Sequence, residues 1–348
     1  MRRNVIAAVT LSALAVAAGP AERARAADFY AGKTIDFIVG IDVGGGFDTY
    51  ARLIAKHLAQ YIPGSPTVVV RNMPGAGSAK AAAYLYAIAP KDGTAIAALF
   101  PGVIVDRLLQ KHPTGQFDAT KFTYLASADN DARLCITGPS SKTKTLAQAM
   151  EQKTILGGTQ PGSPTHDYAF MTKNVTGAKF DIVSGYKGTA NLMLAVERGE
   201  IEGVCGIDWP SLKSEKPQWL HDKAINLLVQ HSPQPDPELT KLGVPTIESF
   251  IKDDTDRQAV ALVVSQQIFA RPYVAPPGVP AAQATMLQQA FAGVLRDPKF
   301  LAEAEAARLN VEASSADMVQ QTVAKLYGAP ANVVERARQL IASPEESK

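Results

Sequence analysis

Short, β-rich apolar segments alternate with helical segments from residue 34 onward, and this alternation constrains the fold more than any other feature of the sequence. Links of a few residues, rich in glycine and proline, separate the segments. Strands are predicted over residues 34–40, 67–71, 94–100, 121–126, 133–137, 154–157, 180–183, 201–207, 224–230 and 258–269. Strand–helix–strand order with short links is typical of an α/β sheet in which consecutive strands run parallel.

The length of the chain favours two lobes rather than one core. Its 348 residues, 46% of them hydrophobic, exceed the size at which a single hydrophobic core usually stops growing. We expect one lobe from residues 27–126 and 231–348 and a second from residues 127–230, each built on a mixed, mostly parallel sheet. In such folds a ligand binds beyond the carboxyl ends of the strands, here in the cleft between the lobes.

The N-terminus has the pattern of a secretory signal peptide. Arg2 and Arg3 precede a predominantly apolar run over residues 5–18, and Ala24-Arg25-Ala26 supplies small residues for a cleavage site. A membrane anchor is the alternative, but the apolar run is shorter than the about 20 residues that cross a bilayer. Residues 1–26 are therefore predicted to be removed on export, which leaves an exported protein.

The net charge excludes a strong general attraction to nucleic acid. The formal net charge is only +2, and four of the arginines lie in the predicted signal peptide. Because the rest of the chain is close to neutral, we expect no nucleic-acid partner.

A glycine turn between the first predicted strand and the following helix is the first candidate binding element. Residues 44–49 read Gly-Gly-Gly-Phe-Asp-Thr; glycines let the backbone approach a ligand, and the helix N-terminus presents N–H groups to an anion. A plain turn with Asp48 as the N-cap is the alternative. A dinucleotide fingerprint fits poorly, because Thr49 replaces its third glycine and Arg71 stands where an acid should hold the ribose. We therefore expect no cofactor.

A second glycine turn occupies residues 157–166, after another predicted strand. Ser163 is predicted as an N-cap and Pro164 as the first helical residue. The N–H groups of Thr165 and His166, together with the Thr165 hydroxyl, are then expected to face an anion. If the two turns face each other across a cleft, they hold one small carboxylate-bearing ligand from both sides.

Other candidate contacts follow predicted strands, where this class of fold places its ligands. Ser78 is predicted to cap the helix over residues 79–88 and is also a candidate ligand contact. Lys187 is either a partner for a second carboxylate or a solvated surface lysine. Asp208 is either a partner for a ligand amine or hydroxyl or a plain loop cap, and Trp209 either walls the pocket or packs inside the lobe.

Neither a catalytic nor a metal-binding pattern stands out. The five histidines have none of the paired spacings of metal sites, and the sequence contains neither a GxSxG elbow nor a Walker motif. We therefore expect a protein without catalytic activity, metal or cofactor. Cys135 and Cys205 lie in predicted strands of the second lobe, where an oxidising compartment permits either a disulfide or two buried thiols.

A series of short motifs runs through the chain. They are Gly44-Gly45-Gly46-x-Asp48-x-x-Ala51-Arg52, Asn72-x-Pro74-Gly75-Ala76-Gly77, Asp92-Gly93-Thr94, Gly162-Ser163-Pro164-x-His166, Tyr186-Lys187-Gly188, Gly199-Glu200-Ile201-Glu202, Val244-Pro245-Thr246-x-Glu248 and Pro276-Pro277-Gly278-Val279-Pro280. In order and spacing they resemble the Bug proteins, the periplasmic solute receptors of tripartite tricarboxylate transporters. The resemblance covers nearly all of the chain after the predicted signal peptide.

The resemblance implies a two-lobed α/β Venus-flytrap receptor that closes on a small organic carboxylate and delivers it to integral membrane transporter subunits. The ligand-binding residues that it implies are Gly45, Phe47, Asp48, Thr49, Gly162, Ser163, Thr165 and His166, with Ser78, Lys187, Gly188 and Asp208 as further candidates. A monomer suits hinge closure. Two alternatives stay open: a ligand-sensing receptor for a sensor kinase, which would use the same pocket, and a secreted hydrolase using His166 or Asp48.

Three features depart from the pattern of the family. Ile41-Asp42-Val43 replaces a proline-rich approach to the glycines, and its extra acid disfavours a tricarboxylate. The arginine common after the return strand is missing from residues 231–235. Residues 330–348 extend beyond the usual end and are expected to cover the first lobe. The identity of the carboxylate therefore stays open.

Overall fold

Residues 29–44, 46–110, 113, 115–130 and 132–344 are described by a computed structural model of the chain. The predicted signal peptide, residues 1–26, and Gly45 of the first glycine turn lie outside these ranges. Within the described ranges, every helix is too short or too polar to cross a membrane.

The secondary structure alternates as predicted. The strands are β1 (Thr34–Val39), β2 (Thr67–Asn72), β3 (Ala95–Ala98), β4 (Thr123–Ser127), β5 (Arg133–Thr137), β6 (Thr154–Gly157), β7 (Phe180–Val183), β8 (Gly203–Asp208), β9 (Asn226–His231), β10 (Pro272–Ala275) and β11 (Ser314–Ser315). The helices are α1 (Gly46–Leu58), α2 (Ala79–Ala87), α3 (Pro101–Leu109), α4 (Leu146–Glu151), α5 (Pro164–Thr176), α6 (Thr189–Glu197), α7 (Trp209–Glu215), α8 (Pro217–His221), α9 (Pro237–Lys241), α10 (Asp254–Val264), α11 (Ala281–Val294), α12 (Pro298–Ala306), α13 (Ala316–Tyr327) and α14 (Ala331–Ile341).

The first sheet brings several strand ends to one edge. Its strand order is β11-β4-β10-β3-β1-β2. β1 is parallel to β2 and β3, whereas β10 is antiparallel to β3 and β4, and β11 is antiparallel to β4. The carboxyl ends of β1, β3 and β4 therefore lie at the same edge as the amino ends of β10 and β11. We call this the binding edge of the first sheet.

An aromatic core holds α1 on this sheet with its N-terminus at the binding edge. Phe37 of β1 packs edge-on against Tyr273 of β10 and Phe291 of α11, with ring centres 5.8 and 6.2 Å apart. Ile54 and Leu58 of α1 are completely buried in the same core. Since such close-packed interiors hold their side chains in place, α1 is a firm support for the loop that precedes it.

The second sheet has the order β7-β6-β8-β5-β9. β6 is parallel to β7 and β8, and β5 is antiparallel to β8 and β9. Both sheets are thus mixed, as predicted. Mostly parallel sheets were expected, but among the described strand pairs four are parallel and five are antiparallel. A disulfide joins Cys135 of β5 to Cys205 of β8, which answers the question that the sequence left open.

The segment predicted as a strand over residues 258–269 is helical, so that prediction was wrong. α10 follows Asp253, whose carboxylate accepts the Asp256 N–H, and a 3-10 helix, Ser265–Phe269, follows α10. Apolar β-branched residues fit a buried helix as well as a buried strand, and here the N-cap starts a helix. The strand lies further along the chain, at β10.

The C-terminal helix α14 contacts both lobes, whereas the sequence led us to expect cover for the first lobe only. Arg338 donates a 2.9 Å hydrogen bond from Nε to the Leu108 carbonyl, at the end of α3. From the second lobe, Asn174 of α5 donates from Nδ2 to the carbonyls of Leu340 (2.9 Å) and Ala342 (3.2 Å). The helix therefore ties α3 to α5.

Candidate functional site between the lobes

A cavity of about 300 Å³ lies where the binding edge of the first sheet meets α7 of the second lobe. Its lining comes from α1 (Gly46, Thr49, Tyr50), from Asp129 after β4, from Arg271 before β10, from residues 307–310 before β11, and from α7 (Pro210, Ser211, Glu215). Residues from both lobes thus form its walls. A pocket that draws its walls from two lobes changes shape when the lobes move.

A wider, shallower depression of about 540 Å³ adjoins the cavity and shares Pro210 and residues 308–310 with it. Its other walls are Lys213, Leu301, Glu305 and Val311. Because the smaller cavity is more enclosed and includes the N-terminus of α1, we take it as the candidate binding site.

Asp48 holds the first glycine turn together from inside. One carboxylate oxygen accepts hydrogen bonds from the Gly44 N–H and from Arg52 Nε, and the other accepts from Asn72 Nδ2, all at 2.9 Å. Burial by itself raises the pKa of Asp48, but these hydrogen bonds together lower that pKa below its ordinary value. Asp48 is the third residue of α1 and is buried, so it is neither the N-cap nor a lining residue of the cavity.

The two remaining described residues predicted in this turn lie at or beside the cavity. Thr49 lines it directly. Phe47 is buried, with its ring edge-on to Phe100 at 4.5 Å between ring centres. The guanidinium of Arg271, which lines the cavity, lies 4.3 Å from the centre of the Phe47 ring. Phe47 therefore supports the cavity from beneath.

The second glycine turn uses its hydroxyl groups internally. Thr165 Oγ1 accepts the Thr159 N–H at 3.2 Å and lies 2.7 Å from Thr159 Oγ1. The Thr159 hydroxyl also hydrogen-bonds Ser163 Oγ. The Ser163 hydroxyl in turn donates to the Gln160 carbonyl at 2.6 Å. Ser163 is the N-cap residue of α5, as predicted, but its side chain caps no backbone amide of the helix. These hydroxyls therefore stabilise the turn.

His166 differs from expectation in two ways. Its N–H donates to the Ser163 carbonyl at 3.1 Å, so this amide is already used within the turn. Its ring is buried against Phe170, with ring centres 4.6 Å apart, and Nδ1 lies 3.0 Å from Asp167 Oδ1. The side chain consequently points into the second lobe.

The second turn approaches the first lobe at the start of α3. A methyl group added to Gly102 would lie 3.4 Å from the Gly162 carbonyl oxygen, and one added to Gly162 would lie 3.4 Å from Gln110 Nε2. Phe100, which contacts Phe47, immediately precedes this helix. Both turns therefore lie close to α3: the first meets Phe100 before the helix, and the second lies near Gly102 within it and Gln110 after its end.

The other predicted contacts lie away from the described lining of the cavity. The Ser78 hydroxyl donates to the Gly40 carbonyl (3.2 Å) and accepts the Phe100 N–H (3.1 Å), so it links the ends of two strands and does not cap α2. Asp208 pairs with Arg133 Nη2 at 3.0 Å. Lys187 is exposed, and Gly188 is extended backbone before α6. Trp209 packs inside the lobe and donates from Nε1 to Glu238 (3.0 Å).

Apart from Gly46 and Thr49 of the first glycine turn, sequence reasoning did not predict the residues that line the cavity. Arg271 and Tyr50 line it, and the Tyr50 hydroxyl donates to the Asn310 carbonyl. Asn310 Nδ2 donates to Asp129 Oδ1 at 2.8 Å. A strand placed correctly at residues 272–275 would have put Arg271 at the binding edge; for Asn310 the sequence carries no comparable signal.

Several solved structures share this architecture. A ligand-free TctC solute-binding protein from Polaromonas has a TM-score of 0.68 at 19% identity, covering 89% of this chain and 98% of its own. The periplasmic binding protein BugD has a TM-score of 0.62 at 20% identity, covering 88% and 97%. Rpa4515 of R. palustris, solved with adipate, has a TM-score of 0.62 at 21% identity, also covering 88% and 97%.

No protein-family model matches the chain, and no curated protein matches it. What the structural likeness establishes is the fold: this chain has the two-lobed α/β fold of the TctC and Bug periplasmic binding proteins.

Proposed function

We propose that this chain is a periplasmic solute-binding protein that captures a small organic carboxylate between its two lobes. The observation that carries the proposal is the interlobe cavity, in which the N-terminus of α1 and the guanidinium of Arg271 lie together. A helix N-terminus carries a partial positive charge, and an arginine is a fixed cation, so both favour an anion. Rpa4515, which has the same fold, was solved with adipate, a dicarboxylate.

Hinge closure is the mechanism that this arrangement favours. Gly46 and Thr49 lie on the first lobe, whereas Pro210 and Ser211 lie on the second, so closing the lobes removes water from a ligand held between them. Hydrogen bonds from protein donors then replace those of water, and a buried carboxylate left without them would cost several kcal/mol.

The direct test is a thermal-shift screen of the purified protein, followed by calorimetry, against C3–C6 mono- and dicarboxylates, tricarboxylates, aromatic acids and amino acids. A ligand that binds only the folded state at about a hundredfold excess over Kd stabilises it by about 2.7 kcal/mol. We expect a clear shift with one class of organic acid. A folded protein that responds to none of these acids would contradict the proposal.

Delivery to the membrane subunits of a tripartite tricarboxylate-type transporter is the further step that we propose, on the basis of the motif resemblance. Pull-down of those subunits by ligand-loaded protein tests it, and capture of a sensor-kinase ectodomain instead would favour the sensing role.

Periplasmic location is tested by fractionation. A monomer by size-exclusion chromatography is expected with and without ligand.

The hydrolase alternative receives no support from the two residues on which it depended. Asp48 is occupied by three hydrogen bonds, and the His166 ring is buried in the second lobe. We therefore propose a binding protein without catalytic activity, which unchanged ligand after prolonged incubation would support.

A further inference from the structure

Arg271 is placed at the binding edge by the topology of the first sheet. It immediately precedes β10, which is inserted antiparallel between β3 and β4, so its side chain emerges beside the residues that follow those strands. Its backbone N–H donates to Ser127 Oγ at 3.1 Å, and Nη1 donates to the Ala270 carbonyl at 3.1 Å. The residue is half-buried and lines the interlobe cavity.

Two aromatic rings set the orientation of its guanidinium. The central carbon of the group lies 4.3 Å from the centre of the Phe47 ring and 5.6 Å from that of Tyr50. A guanidinium on an aromatic face is held by cation–π attraction, and its N–H donors still lie in its own plane. This geometry suits a planar, two-oxygen acceptor such as a carboxylate.

The surrounding charges distinguish Arg271 from the other ionisable lining residues. Asp129 is 1% exposed and accepts hydrogen bonds from Asn310 Nδ2 and the Asn130 N–H, so it belongs to the wall. Glu215 and Arg308 are exposed at the rim. Arg271 is therefore the inner cation of the cavity, and Thr49 beside it is in the first turn of α1.

We propose that Arg271 binds a carboxylate of the ligand directly and makes the protein select organic anions over their neutral amides. This inference rests on the proposed function. It names an arginine for a role that sequence reasoning assigned to backbone N–H groups, the Thr165 hydroxyl and, for a second carboxylate, Lys187. The cavity volume of about 300 Å³ is at the low end for small-molecule pockets, so the ligand that Arg271 selects is a short acid.

The test measures Kd by calorimetry for adipate, malate and glutarate, and for the corresponding amides, with wild type, Arg271→Met, Arg271→Lys and Arg296→Met. Methionine keeps an apolar stem beside Phe47 but removes the charge. Arg296 is exposed and outside the cavity lining, so its variant controls for the loss of one positive charge. We expect a tenfold to hundredfold weaker Kd for the acid in Arg271→Met, about the value of a charged hydrogen bond, and a smaller loss in Arg271→Lys.

The ratio of acid to amide affinity is the second readout, because it is measured on folded protein only and is insensitive to a fraction that misfolds. The acid-to-amide ratio should fall at least tenfold in Arg271→Met and stay at the wild-type value in Arg296→Met. If wild type binds an acid and Arg271→Met binds it equally well, the role of Arg271 is overturned and the proposed function stands. Wild type that binds none of the acids overturns both.

Discussion

Asn72, the last residue of β2, donates a 2.9 Å hydrogen bond to the carboxylate of Asp48 in the first turn of α1. The bond joins the end of β2 to the first turn of the helix that follows β1, the neighbour of β2 in the sheet. Both oxygens of Asp48 face donors, since the Gly44 N–H and Arg52 Nε occupy the other one. The firmness of the first glycine turn depends on this carboxylate.

Replacing Asp48 with asparagine should destabilise the protein by about 2–3 kcal/mol, because an NH₂ group would then face a donor in a buried site. Because its pKa is lowered in the folded state, the ionised Asp48 stabilises the protein at pH values above the unfolded-state pKa of about 3.9. This stabilisation is lost as the pH falls through the folded-state pKa. Urea unfolding of both proteins at pH 7 and in acid measures this, and the difference between them should shrink in acid. Asp42→Asn, at an exposed acid in the same loop, is the control; an equal loss there would contradict the assignment.

His231 should make the protein sensitive to mild acid. It is completely buried, Nε2 lies 2.9 Å from Thr172 Oγ1, and burial lowers its pKa to about 3. Between that value and the unfolded pKa of about 6.5, only the unfolded state binds the proton, so His231 removes about 1.4 kcal/mol of stability per pH unit as the pH falls.

Unfolding free energies of wild type and His231→Gln at pH 7, 6, 5 and 4 test this expectation. The variant should start less stable and should show a shallower fall with pH. His221→Gln, at an exposed histidine, should keep the wild-type slope. Identical slopes in His231→Gln and wild type would rule out the buried neutral histidine.

The space around Gly206 of β8 should make it intolerant of a side chain. A Cβ there would lie 2.2 Å from the Pro164 carbonyl oxygen, where α5 begins, and φ is +73°. Gly177 has a φ of +76° with open space around it, so its alanine variant carries the backbone strain alone, about 1–2 kcal/mol. Gly206→Ala should lose about 1–3 kcal/mol more, by denaturant unfolding. Equal losses would mean that β8 and α5 separate easily.

Asn174 should hold α14 on the second lobe. Because its amide donates to carbonyls at the end of α14, Asn174→Ala should cost about 1 kcal/mol and should speed proteolysis near the C-terminus. Thermal unfolding and limited proteolysis with mapped cleavage sites measure the two effects. Asn191→Ala, at an exposed position of α6, should change neither; unchanged proteolysis in both variants would contradict the tie between the lobes.

The sequence by itself determined the alternation of elements, both glycine turns and the start of α5 at Pro164. These features depend on local causes: the period of apolar residues, the freedom of glycine and the fixed φ of proline. Where two local interpretations fit equally well, as for the apolar run that became α10, sequence reasoning chose wrongly. Sequence reasoning also expected the Thr165 hydroxyl to face a ligand, but this hydroxyl hydrogen-bonds the N–H and hydroxyl groups of Thr159.

Only the tertiary structure decided what the cavity is made of. Tyr50 and Asn310 are hydrogen-bonded across a separation of 260 residues, and Arg271 lies beside Phe47 because β10 is inserted antiparallel between β3 and β4. Pairing of distant strands follows from the packing of the whole sheet, which no local pattern encodes. The glycine turns are therefore visible in the sequence, whereas the position of Arg271 beside Phe47 is a product of the fold.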